Sequence, residues 1–242
     1  MNQNNSIPTE LQNLTLTRLT SGQYDAMFPN TLCGLNRDLQ HSSNFDDFNK
    51  SVEKYLDRIL ARVQKHPYAR RFDCEDRITI DIVNGFQLLN FHAEHEASQN
   101  GNVDVTVSQS NTIYWLGEAK IDRDSGYLLE GFRQLVDRYL TDSRDKIFPT
   151  MLIYCKTRHA HETKKNWLKY LKRPKLVSEF SINIKDEGNN ENYIVTSHRC
   201  KKSGKTVDVK HHFVSLFDCA SDKNAKDRKD DKCPNCSKPY KK

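Results

Sequence analysis

The run Asn102-Val103-Asp104-Val105-Thr106-Val107 alternates apolar with polar side chains. After the short polar stretch 108–112 a second run follows, Ile113-Tyr114-Trp115-Leu116-Gly117, closed by Glu118-Ala119-Lys120. Two segments rich in β-branched and aromatic residues, joined by a short turn, predict an antiparallel hairpin. Such a hairpin brings Asp104 close to Glu118. Side chains alternate along a strand with a period of two, so Lys120 shares a face with Glu118. Two converging carboxylates make a hard-oxygen site suited to Mg²⁺, and an adjacent ammonium can hold or activate a water. The hairpin therefore predicts a sheet protein whose apolar strands end in the chemistry of phosphodiester hydrolysis.

The remaining pattern says what surrounds the hairpin. Residues 1–42 are rich in Asn, Gln, Thr and Ser and read as an irregular N-terminal arm, with a short packed piece around 24–28. From residue 43 the pattern changes. Phe45, Phe48, Val52, Leu56, Ile59 and Val63 recur at helical spacing, with Asn44 placed to cap the start and Pro67 just beyond the end. The stretch 75–89 fits two periods. Ile78, Ile80 and Ile82 alternate as in a strand, whereas Ile78, Ile82 and Phe86 fall at helical spacing and Asn84-Gly85 resembles a helix end. Residues 91–97 alternate as a strand and lead through a turn at 98–101 into the hairpin.

After Lys120 a polar loop, 122–126, precedes a helix whose stripe is Leu128, Phe132, Leu135, Val136 and Tyr139. Met151-Leu152-Ile153-Tyr154-Cys155 predicts a strand buried on both faces. Trp167, Leu168 and Leu171 mark a further helix, ending before Pro174, and 193–199 with 206–214 predict a hairpin around Lys202-Ser203-Gly204-Lys205. This order specifies an α/β fold, a mixed central sheet flanked by helices. The expected divisions are an arm (1–42), a core (43–190), and a C-terminal β-hairpin with a basic, Cys-containing tail (191–242).

On that order of elements, Asp104 and Glu118-Ala119-Lys120 resemble the PD-(D/E)XK nuclease superfamily, which includes many restriction endonucleases and archaeal Holliday-junction resolvases. The resemblance covers about residues 70–155; Val103 stands where a leading Pro is usual. It favours the helical reading of 75–89 and places Glu75 there as a further acid, with Asp76 as the adjacent rival. Gln134 with Tyr139 matches a Q-x-x-x-x-Y variant on the following helix. The resemblance implies a restriction-endonuclease-like core and a Mg²⁺- or Mn²⁺-dependent endonuclease. Asp104, Glu118, the Ala119 carbonyl and Glu75 would ligate the metal. Lys120 would orient the attacking water or neutralise the phosphorane, and Gln134 would position Lys120, water or the nucleic-acid backbone. DNA is the implied substrate, in restriction or defence against foreign DNA, and a homodimer would suit double-strand cutting. Two other classes stand beside this reading: a non-catalytic nucleic-acid-binding module, and an interaction subunit of a larger DNA-processing complex.

Cys233-Pro234-Asn235-Cys236 has the spacing of a zinc half-site. Cys219 and Cys200 are candidates to complete it, as are His198, His211 and His212. Adjacent on a strand, His211 and His212 point to opposite faces, so at most one can serve. The alternative is a basic tail with two unliganded thiols. His92, Glu94, His95 and Glu96 suggest a metal, but a polar strand face at the sheet's edge explains them better. His159 and His161 are expected in a solvated loop.

The net charge is +6, and residues 199–242 carry thirteen Lys/Arg against six Asp, a local excess of +7. Arg70-Arg71, Lys164-Lys165, Lys169, Lys172-Arg173, Lys175, Lys201-Lys202, Lys205 and Lys210 form successive clusters suited to phosphate contacts. Trp167 is expected in the core and Tyr170 is placed to stack on a base. No stretch approaches the roughly 18 apolar residues of a membrane span. Seven cysteines, an odd number and mostly scattered, predict a reduced cytoplasmic interior.

Overall fold

The computed structural model describes residues 45–98, 102–110, 113–139, 146–186, 192–200 and 204–218. The arm, Asn44, the turn at 99–101, Lys201, Lys202, and Cys219, Cys233 and Cys236 of the tail lie outside the described residues. The chain divides into two units, 1–51 and 52–242, and the sheet belongs wholly to the second.

The elements are α1 (Phe45–Val63), α2 (Glu75–Leu88), β1 (His92–Ser98), β2 (Asn102–Ser110), β3 (Ile113–Ile121) and α3 (Ser125–Arg133). A π-helical turn (Gln134–Tyr139) continues α3, and β4 (Lys146–Cys155), α4 (Ala160–Leu171), α5 (Pro174–Phe180), β5 (Asn183–Asp186), β6 (Tyr193–Arg199) and β7 (Thr206–Ser215) follow. The seven strands form one mixed sheet in the order β1-β2-β3-β4-β7-β6-β5. β1, β2 and β3 are an antiparallel meander, whereas β4 runs parallel to both β3 and β7. A parallel pair needs a long crossover, and α3 with its π turn supplies it between β3 and β4. Among the described residues the fold is thus α/β, a mixed sheet flanked by five helices, as the alternation of elements predicts.

The two faces of the sheet have different cores. On one, Trp115 of β3 approaches Phe86 of α2 at 6.0 Å between ring centroids. On the other, Phe132 of α3 meets Trp167 of α4 and Phe180 of α5 edge to face, at 6.4 and 5.3 Å. Met151 to Cys155 of the central strand are wholly buried, as a strand covered on both faces requires. His211 and His212 divide between the two faces. His211 accepts a hydrogen bond from Trp167 Nε1 (3.3 Å) and bonds Thr196, while His212 lies 3.1 Å from Glu53 of α1.

Several expectations are corrected. Residues 75–88 are helical, which rules out the strand alternative: Ile78 and Ile82 are fully buried but Ile80 is 36% exposed, and a strand would put all three on one face. Gly85 does not end that helix. It lies inside, where a Cβ would come within 2.9 Å of the Ile59 side chain, so the glycine admits α1 against α2. The hairpin turn is shorter than 108–112, because β2 pairs through Ser110 with an irregularity between Ser108 and Ser110. The helix marked by Trp167 does end before Pro174, as expected, and Pro174 opens the separate helix α5 at a first-turn position, where its missing N–H is harmless. β5 also adds an edge strand that the sequence pattern did not suggest. The predicted C-terminal hairpin is β6–β7, and β7 joins the sheet beside β4.

Candidate active site at the end of strand β3

The β2–β3 register pairs Val105 with Gly117, and the next step sets Asp104 beside Glu118. Gly117 has a local reason: a Cβ there would meet the Trp115 ring at 2.9 Å, so the glycine lets the indole fold across the strand. Asp104 Oδ2 accepts a hydrogen bond from the Ala119 amide at 2.7 Å. Lys120 lies on the face of Glu118, as the period of two predicts. Its ammonium donates to Glu118 Oε1 (2.6 Å), to the Ala119 carbonyl (2.9 Å) and to Glu75 Oε1 (3.4 Å), and lies 3.9 Å from Asp104 Oδ2.

Glu75 reaches this group from the start of α2. Its Oε2 accepts from the Ile121 amide at 2.7 Å, and the Tyr127 hydroxyl donates to the same carboxylate at 3.1–3.2 Å. The structure thus brings together Glu75, Asp104, Glu118 and Lys120, all four foreseen. Gln134 is not joined to them. It lies one turn past Gly131, and its side chain makes no hydrogen bond to the cluster among the described residues. The Tyr139 side chain is outside the description.

Two neighbours went unforeseen. Tyr127 and Gly131 lie at i and i+4 on α3, facing Lys120. A Cβ at residue 131 would stand 2.6 Å from Lys120 Cγ, so α3 can lie against the lysine stem only because residue 131 has none. A glycine inside a helix costs about 1 kcal/mol relative to alanine. That cost, between Tyr127 and Gln134 on one face, was the available signal.

The loop after β3 is firmly held. Asp122 is buried; its Oδ1 accepts from the Lys156 and Thr157 amides (2.8 and 3.1 Å) and its Oδ2 from the Thr157 and Thr163 hydroxyls (3.0 Å each). Asp124 caps α3, accepting from the Gly126 and Tyr127 amides at 2.7 and 2.9 Å, an arrangement worth about 1 kcal/mol.

Burial pushes the Glu118 carboxyl up to about 7, the Asp104 charge adds to this, and Lys120 opposes it. Asp104 is also raised, first by burial. Burial alone would lower Lys120, but the surrounding carboxylates, Glu118 foremost, hold it above its ordinary range. Lys120 is therefore a fixed cation.

Among the described residues, no group of three or more His, Cys, Asp or Glu side chains stands arranged to hold a metal ion; the Lys120 ammonium lies among the three carboxylates. The donor set itself suits a hard divalent cation. Glu118 Oε2 is buried without a hydrogen-bond partner. Asp104 has one oxygen on the Ala119 amide and no other hydrogen bond among the described residues. Both oxygens of Glu75 are engaged, which fits it better to holding Lys120 than to ligation.

The other candidates fall elsewhere. His198 and His211 are buried around Thr196, 2.5 and 2.8 Å from its hydroxyl, and burial lowers His198 to about 4. Cys200 is buried. β1 is an edge strand on which His92, Glu94 and Glu96 are exposed. His159 precedes α4, and His161 lies exposed in its first turn, not in a loop. Three members of the basic clusters already have protein partners or lie inside: Arg70 pairs with Asp73 and Asp81, Lys210 with Glu53, and Lys164 is buried. Lys165, Lys169, Lys172, Arg173 and Lys175 are exposed. Trp167 is fully buried, with Tyr170 stacked against it at 5.8 Å. Among the described residues, no helix is long and apolar enough to cross a membrane.

Comparison with protein-family models, with curated proteins and with solved structures gives no match.

Proposed function

We propose that the chain is a divalent-metal-dependent endonuclease with a restriction-endonuclease-like core of the PD-(D/E)XK type, hydrolysing phosphodiester bonds of DNA. The observation that carries this reading is the meeting of Asp104, Glu118 and Glu75 around the Lys120 ammonium, with one buried Glu118 oxygen left unpartnered. Asp104, Glu118 and the Ala119 carbonyl would hold Mg²⁺ or Mn²⁺. When bound, such an ion polarises the scissile phosphate and acidifies water. Lys120, kept protonated, places a positive charge beside the phosphate, where negative charge grows in the transition state. Glu75 and Tyr127 fix the direction of that ammonium. A role in restriction or defence, in a reducing cytoplasm and as a homodimer, belongs to the same proposal, as does zinc held by Cys233, Cys236, Cys219 and Cys200.

A second reading has an observation of its own. The ammonium already neutralises part of the acid cluster, which suits a binding module that never recruits a metal. Asp104→Ala and Lys120→Ala separate the two. Cleavage of a DNA duplex in Mg²⁺ should fall at least about 10²-fold in each, while duplex affinity in EDTA changes no more than about threefold for Asp104→Ala. Cleavage that persists in both variants removes the catalytic assignment. A wild-type chain that binds but never cleaves supports the module.

A further inference from the structure

Arg123 is exposed, and its guanidinium lies over the Tyr127 ring, 4.8 Å from the centroid. Lys120 Nζ is 5.8 Å from the same centroid. The two cations therefore lie within about 11 Å of each other, the sum of those lengths. Among the described residues Arg123 has no carboxylate partner, unlike Arg70, Arg77 and Arg133, which are paired with Asp73 and Asp81, with Asp81, and with Glu179. Its backbone is fixed on both sides by the locked Asp122 and the capping Asp124, and its amide donates to the Ile121 carbonyl at 2.8 Å. Arg158 stands beside it, donating to the Arg123 carbonyl at 3.4 Å. The carboxylate near Arg158, Asp122, is 3.9 Å away and already accepts four hydrogen bonds.

A charged side chain normally retains wide freedom at the surface. Here one is held on a rigid loop, leaned on an aromatic ring and left without a counter-charge, which is the arrangement for receiving an anion from outside. We infer that Arg123, backed by Arg158, is a subsite for the phosphate flanking the one that meets Lys120, so that the site takes a polynucleotide and grips two successive phosphates of one strand. Phosphates of a strand recur about every 3.4 Å of helix axis, so a strand with one phosphate at Lys120 carries another within the reach of Arg123. Tyr127 joins the two places: its hydroxyl holds Glu75 behind Lys120, and its ring supports Arg123.

This inference rests on the reading of Lys120 as the group facing the scissile phosphate, and its test is a binding measurement that needs no cleavage. The full chain is titrated with a DNA duplex in EDTA between 50 and 200 mM salt. Arg123→Ala is expected to weaken binding about five- to tenfold at the lower salt and to flatten the slope of log K against log salt by about 0.9, one phosphate contact. Arg123→Lys should keep most of the slope. Arg133→Ala removes the same charge from a paired arginine on α3 and should leave the slope unchanged. Equal effects of Arg123→Ala and Arg133→Ala, or none from either, overturn the subsite. If the slope falls as expected but the wild-type chain does not cleave in Mg²⁺ or Mn²⁺, the subsite stands and the hydrolytic reading fails.

Discussion

Two glutamates, Glu53 half-buried and Glu118 buried, sit on opposite faces of the same sheet, each held by a lysine at nearly the same distance: Glu53 to Lys210 at 2.7 Å and Glu118 to Lys120 at 2.6 Å. Their states are opposite. Glu53 has both oxygens engaged, Oε1 by Trp115 Nε1 at 2.9 Å and Oε2 by Lys210 and His212. Burial pushes that carboxyl up, but His212 and Lys210 outweigh it and hold it near 2. Glu118 has one lysine, a second acid beside it and an oxygen without a partner, and it rises to about 7. A lysine at hydrogen-bond distance therefore does not decide what such an acid is for. Complete pairing makes Glu53 part of the architecture. Incomplete pairing leaves Glu118 a lone pair to offer, at a cost to stability.

Exchanging the two acids for their neutral isosteres tests this contrast most sharply. Glu118→Gln should lower duplex cleavage about 10³-fold or more. It should leave stability unchanged or raise it by up to about 2 kcal/mol at pH 8, since the folded state already disfavours that charge. Glu53→Gln should do the reverse, losing about 3 kcal/mol in urea unfolding with cleavage retained, because Lys210 and His212 are left unbalanced in the interior. Similar behaviour of the two variants would dissolve the distinction.

The pH dependence of stability is the next test. The folded state holds a proton on Glu118 between its ordinary value of 4.5 and about 7, whereas the unfolded chain has lost it. Stability from this group therefore falls as pH rises across that window. Glu53 has the opposite sign: its contribution is present above 4.5 and is lost as pH drops toward 2. Urea melts between pH 4.5 and 8 should show this decline in the wild-type chain and lack it in Glu118→Gln.

Smaller effects are expected from the residues behind Lys120. Gly131→Ala drives a methyl into the lysine stem and should cost about tenfold or more in cleavage, while the melting temperature moves little because helix propensity offsets the crowding. Tyr127→Phe removes the hydroxyl bonds to Glu75 but keeps the ring. A three- to tenfold loss of rate is expected, with a stability change of about 1 kcal/mol and an unaltered salt slope of DNA binding. A slope that flattens in Tyr127→Phe would show that the hydroxyl, and not the ring, supports Arg123.

Much of this was legible because it follows from alternation. The period of two put Glu118 and Lys120 on one face and separated His211 from His212, and the continuous apolar run 151–155 announced a strand covered on both sides. What could not be read depended on partners distant in sequence. Ile78 and Ile82 satisfy both periods whereas Ile80 fits only the strand's, and only the packing of α1 and the sheet against α2 decides that Ile80 faces outward. Tyr127 and Gly131 gain their meaning from a lysine stem on another element. Glu53 is an ordinary polar position on α1 until Trp115, Lys210 and His212 surround it, so sequence periodicity offers no sign of its pairing.

The division of His211 and His212 between two faces bears on how the chain avoids misfolding. β7 is the strand through which β5 and β6 join the remaining four, by a parallel pairing with β4 that links residues some sixty positions apart. Long-range pairings of this kind are intrinsically slow to form. A slip of one residue would turn His211 toward Glu53 and His212 into the aromatic layer of Phe132 and Trp167, losing both hydrogen-bond networks together. The adjacent histidines thus penalise a one-residue misalignment on both faces of the sheet at once.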